Sequence, residues 1–143
     1  MQRMLLTANL RRQHEDLLGL ADDLQRMLLD ESALPQVVGE VRKLVARITG
    51  KLRVHATMEE EVLYQRLLAS ADSAVRAVAQ EFLDTYGTLM RDFGAYTSRW
   101  AVSDAIAAEP GVFARETSAL LRVLAARVAR ENRELYPLAD RDG

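Results

Sequence analysis

Cysteine is absent from this chain, and histidine occurs only twice. Without cysteine there is no disulfide, no thiolate metal ligand and no cysteine nucleophile. That suits a reducing compartment. Three prolines and one tryptophan in 143 residues leave long stretches unbroken, and aromatics are only 6%. A core built from such a chain must be mostly Leu, Val and Ala. Neither sign of charge dominates: 19 basic residues face 21 acidic ones, for a net charge of −2. A dedicated nucleic-acid surface would need a basic excess, so none is expected. Long hydrophobic runs are missing too. The apolar cluster at Leu5 and Leu6 is soon interrupted by Arg11, Arg12, His14 and Glu15. It is too short and too polar for a signal peptide or a membrane span, and the expected location is the cytoplasm. No glycine-rich phosphate loop and no Ser-His-Asp arrangement stands out, so an enzyme is not expected. What remains is 49% apolar and 28% charged residues, which fits one soluble helical domain over residues 1–143.

Breakers cut the chain into four segments. Asp30 to Pro35 ends the first. Ser70 to Ser73 ends the second, with Asp72 or Ser73 able to cap the next helix. The third break runs from about Ala101 to Gly111 and has room for one helical turn. It is the longest connection and the best placed for recognition of a protein partner. Within the segments, apolar residues recur at steps of three and four. The stripes read Leu10, Leu17, Ala21, Leu24, Leu28; then Val41, Val45, Ile48, Leu52, Val62; then Val75, Ala79, Phe82, Tyr86, Leu89, Phe93, Tyr96, Trp100; then Phe113, Thr117, Leu120, Leu124, Leu138. Strand-like alternation is absent. The pattern predicts an all-α fold, an antiparallel up-and-down four-helix bundle.

Polar residues interrupt these stripes. His14 falls between Leu10 and Leu17, His55 and Glu59 between Leu52 and Val62, and Arg127, Glu131 and Glu134 between Leu124 and Leu138. Such residues are costly in a core unless paired or ligated. Counting from the turns, with a rise of about 1.5 Å per residue, puts His14, His55, Tyr86 and Arg127 at one height. Glu59, Phe82 and Glu131 then fall about one turn away. The Tyr86 hydroxyl is expected to point into this layer, whereas Tyr64, Tyr136 and Trp100 read as packing residues. Glu60, Glu61, Arg130 and Arg133 read as solvated.

Three stretches carry a family resemblance: Arg12 to Leu18, His55 to Tyr64, and Arg127 to Leu138, the last ending in Leu135-Tyr136-Pro137-Leu138. Their order and spacing resemble the hemerythrin-like, or HHE cation-binding, family over nearly the whole chain. The resemblance implies a bundle around a non-heme di-iron centre held by histidines and bridging carboxylates, with oxygen, nitric oxide or iron as the ligand bound or sensed. Position by position, His14 matches the ligand of the first helix, and His55 with Glu59 matches the second. The expected third-helix histidines are replaced by Phe82 and Tyr86. The fourth-helix histidine and the carboxylate five positions later are replaced by Arg127 and Asn132. With two histidines in all, a complete di-iron centre is not expected.

Two readings of function stand side by side. In one, the site is degenerate and metal-free: Arg127 supplies the positive charge and pairs with Glu59 and Glu131, Phe82 fills the space of a lost imidazole, and the domain is a non-catalytic regulatory or binding module. In the other, His14, His55 and Glu59, with Glu131 as a fourth ligand, hold a single iron or zinc ion that binds or senses oxygen, nitric oxide or peroxide. A pocket for an anion or a haem is a third use of the same residues.

Overall fold

The computed structural model of the protein describes residues 2–142, which are mostly helical with no strand among them. Helix α1 spans Gln2–Leu28, and a 3-10 turn over Glu31–Gln36 leads to α2, Val38–Met58. A π turn, Glu59–Leu63, joins α2 to α3, Tyr64–Leu68. Then come α4, Ser73–Arg99, and the short α5, Ser103–Ala108. Helix α6, Pro110–Arg130, passes through a second π turn, Glu131–Leu135, into α7, Tyr136–Arg141. The residues flanking both π turns keep right-handed helical dihedrals. With α2–α3 and α6–α7 each continuous through its π turn, the long helical rods among the described residues are α1, α2–α3, α4 and α6–α7.

The breakers work as their chemistry dictates. Asp72, rather than Ser73, caps α4: its side chain accepts the Ala74 N–H at 2.9 Å. Pro110 opens α6, where its missing N–H has no helical partner to lose. The third connection is more ordered than one turn, because α5 occupies most of it and α6 starts directly at Pro110.

Side-chain contacts link the rods. Thr7 meets Asp140 at 2.5 Å and Gln25 meets Ser118 at 2.9 Å, linking α1 to α6–α7. Gln13 meets Met58, and Asp16 meets Lys51 at 3.9 Å, linking α1 to α2. Tyr96 meets Thr117 at 2.7 Å and Glu81 meets Arg130 at 3.2 Å, linking α4 to α6.

The apolar core is in two parts. One holds Leu17, Leu24, Ile48, Leu52, Phe93 and Leu124 among others. The second holds Leu10, Leu63, Tyr64, Phe82, Leu135 and Tyr136 among others. Each fully buried Leu or Phe contributes about 1.5–3 kcal/mol. Between the two parts lie the buried side chains of His14, His55, Glu59 and Glu131.

The α1 stripe is buried throughout and the α4 stripe is buried except at the half-buried Tyr86 and Tyr96; on α6 Leu121 is buried in place of Leu120, and the second and fourth rods depart further after the acidic residue. Val62 is only half-buried while Leu63 and Tyr64 are buried. Glu134 is exposed and Leu138 half-buried while Leu135, Tyr136 and Ala139 are buried. The π turns are the cause. A π turn spends more residues per turn than an α turn, so the inward face moves one position along the sequence.

Candidate metal centre

Three rods supply the layer between the two apolar clusters. His14 comes from α1, His55 and Glu59 from the end of α2 and its π turn, and Glu131 from the second π turn. All four are at most 3% exposed. One ligating atom from each lies within 4.8 Å of the others. The Nε2 atoms of the two imidazoles are 3.0 Å apart, and Glu131 Oε1 is 2.9 Å from His14 Nε2. Glu59 Oε1 and Glu131 Oε1 are 3.3 and 3.5 Å from His55 Nε2. Along the sequence Glu59 and Glu131 stand about one turn from the level of the histidines, and their side chains close that gap.

The outer face of each imidazole is held by an amide. His14 Nδ1 donates to Asn132 Oδ1 at 2.8 Å, and His55 Nδ1 donates to Gln13 Oε1 at 2.7 Å. An amide oxygen only accepts, so the Nδ1 atoms carry the protons. Both Nε2 lone pairs therefore point inward, at each other and at two carboxylates. This donor set asks for a cation or for protons at its centre.

Protons can partly meet that demand. Burial alone would lower the His55 pKa, but hydrogen bonds to Glu131 and Glu59 raise it to about 9. Burial and the charge of Glu131 push Glu59 upward. Glu131 is held low in spite of its burial by His14, His55 and Arg127.

Arg127 sits on the far side of Glu131. Its Nε donates to Glu131 Oε2 at 2.9 Å, and its terminal nitrogens donate to Tyr64 Oη at 2.7 Å, the Phe82 carbonyl at 2.9 Å and Thr85 Oγ1 at 2.5 Å. The guanidinium lies over the Phe82 ring, 5.1 Å from its centre. Arg127 thus pairs with Glu131 but makes no hydrogen bond to Glu59. Glu59 Oε2 instead accepts from the Tyr136 hydroxyl at 2.8 Å.

Two tyrosines depart from expectation. Tyr86 does not enter the layer: its hydroxyl donates to the exposed Glu60 at 3.3 Å, because its ring is only half-buried at the edge of α4. Tyr136, read from sequence as packing, places its hydroxyl inside the donor set, 3.1 Å from His14 Nε2 and 3.3 Å from His55 Nε2. A repeated pattern in the sequence could have found it: Glu59-x-x-x-Leu63-Tyr64 recurs as Glu131-x-x-x-Leu135-Tyr136. Asn132 lies behind His14 and outside the donor set, and Glu131 is the carboxylate of that rod that faces inward.

The model of the hemerythrin HHE cation-binding domain family matches residues 5–139. The chain belongs to that family. No curated protein and no solved structure matches it. Within the hemerythrin-like fold, the described residues bring together one group of possible metal ligands, His14, His55, Glu59 and Glu131. Beyond Glu131 lie the guanidinium of Arg127 and the ring of Phe82, and neither offers a lone pair. The four donors could hold a metal ion, since their inward lone pairs converge with both imidazoles already oriented. A cavity of about 20 Å³ adjoins the donors, lined by Tyr86, Leu89 and Met90 on the α4 side. Among the described residues no helix is long and apolar enough to cross a membrane.

Proposed function

We propose that this chain is a single hemerythrin-like domain, an antiparallel up-and-down four-helix bundle, that holds one iron or zinc ion at His14, His55, Glu59 and Glu131 and serves as a sensing or regulatory module rather than an enzyme. The observation that carries this reading is the convergence of the four donors within 4.8 Å. Gln13 and Asn132 support it by fixing both imidazoles with their bare nitrogens inward. Iron, when bound, would supply a centre able to interact with a small gas such as oxygen or nitric oxide, or with peroxide. The adjoining cavity of about 20 Å³ holds something the size of one water molecule. Sites for organic substrates are typically ~300–1,000 Å³, so the small space beside the donors favours a diatomic or triatomic ligand over an ordinary substrate. An interior location of this kind, with no charge excess on the chain, supports neither nucleic acid nor membrane as a partner. A partner protein would read the state of the bundle from its surface.

The test is metal analysis of protein purified without an affinity tag. About one ion per chain is expected, with His14→Ala and His55→Ala each abolishing it. Two ions per chain, or none, would overturn the reading.

One contact favours a second reading, in which the domain is regulatory and metal-free. Arg127 already neutralises Glu131 at 2.9 Å, and a protonated His55 would supply a second positive charge. Absence of metal from the tag-free protein, with the fold intact, selects this reading.

A further inference from the structure

We propose that Tyr136 is a ligand in its own right: its phenolate oxygen joins His14, His55, Glu59 and Glu131 and makes the site one for ferric iron. This rests on the one-ion reading above and adds to it a fifth donor and a preferred metal.

Three observations carry it. The Tyr136 hydroxyl oxygen lies 2.8 Å from Glu59 Oε2, 3.1 Å from His14 Nε2, and 3.3 Å from both His55 Nε2 and Glu131 Oε1. It touches every member of the donor set, which places it where an ion held by those four would meet it. The ring is fixed there as well. It is fully buried, stacked on the His14 ring at 5.2 Å and 23°, with the Arg11 guanidinium 5.3 Å from its centre.

The third observation is internal to the chain. His55-x-x-x-Glu59-x-x-x-Leu63-Tyr64 and Arg127-x-x-x-Glu131-x-x-x-Leu135-Tyr136 share one pattern, and each contains a π turn from the Glu to the Leu. Each tyrosine crosses to the other unit. Tyr64 reaches Arg127, and its oxygen accepts from that cation at 2.7 Å. Tyr136 reaches His55. In the half of the layer where a cation is built into the chain, the phenol oxygen is its partner. Tyr136 holds the matching place in the half that lacks one.

Ligation requires the O–H bond of Tyr136 to break. Its oxygen then donates a lone pair to the metal, and the proton passes to Glu59 Oε2 and on to solvent; no electron moves. Three anionic oxygens with two imidazole nitrogens form a harder set than zinc sites favour, and suit ferric iron.

The experiment loads tag-free protein with a ferric chelate, removes excess by gel filtration, and records iron content and the visible spectrum. A phenolate-to-iron charge-transfer band is expected. Tyr136→Phe should lose the band and bind iron roughly tenfold or more weakly, while Tyr64→Phe and Tyr86→Phe keep the band. Resonance Raman excited in the band reports tyrosinate ring modes on the unsubstituted protein, so the result does not depend on any variant folding. Iron bound without the band, or a band unchanged in Tyr136→Phe, overturns this inference alone. A protein that takes up no metal of any kind overturns it together with the one-ion reading.

Discussion

The Nε2 atoms of His14 and His55 face each other across 3.0 Å, although 41 residues separate them in the chain. Two lone pairs at that distance repel unless something positive lies between or beside them. The rest of the layer is arranged around that demand: Glu59 and Glu131 below the pair, Tyr136 against it, and Gln13 and Asn132 holding the rings from behind.

Removing the amides should loosen the pair without disturbing the core. Gln13→Leu and Asn132→Leu each delete the acceptor for an imidazole Nδ1–H. Metal affinity, measured by competition with a coloured chelator, should fall about 10–100-fold in each. Unchanged affinity in both variants would mean that packing alone orients the rings.

Arg127 offers a stability test. Arg127→Met leaves Glu131 Oε2, the Tyr64 hydroxyl and the Phe82 carbonyl without their donor. The expected loss is about 3–5 kcal/mol in urea unfolding, since a buried carboxylate is left uncompensated. Arg127→Lys should recover only part of it, because an ammonium lacks the planar fork that reaches four acceptors, Thr85 Oγ1 among them. A loss below about 1 kcal/mol for Arg127→Met would fit a solvent-screened pair instead.

Phe82→Ala should cost about 3–5 kcal/mol through the cavity it leaves. Its ring is 1% exposed and also carries the guanidiniums of Arg127 and Arg130, 5.1 and 4.7 Å from its centre. Calorimetry should show the drop in the metal-free protein too, because the ring packs on the chain and not on an ion.

The pH dependence of the metal-free protein follows from His55. Its folded pKa of about 9 stands above the ordinary 6.5. The proton is therefore held more tightly in the folded state. The associated stability is complete below pH 6.5 and is lost as pH rises through about 9. Chelator-treated protein should weaken by on the order of 3 kcal/mol across that window. Glu59, also raised, pushes in the same direction. His55→Gln should flatten the profile. A wild-type melting temperature that is level from pH 6.5 to above 9 would contradict the assignment.

The sequence by itself determined the helices, their ends and most of the layer. Regular steps of three and four placed His14 on the stripe of α1 and His55 with Glu59 on that of α2, and a polar residue on an apolar stripe is visible without any structure. Tertiary structure alone decided the rest, because it turned on departures from the regular period and on side-chain reach. The π turns at Glu59–Leu63 and Glu131–Leu135 moved the inward face by one residue, which brought Tyr64 and Tyr136 inside and left Val62 and Glu134 toward the surface. Stripe counting assumes α geometry throughout and cannot see that slip. Nor can it tell that Gln13 and Asn132, one place off the stripe, reach around to the imidazoles, or that Arg127 chooses Glu131, Tyr64 and a backbone carbonyl over Glu59. Those choices depend on where four rods stand relative to one another, and only packing fixes that.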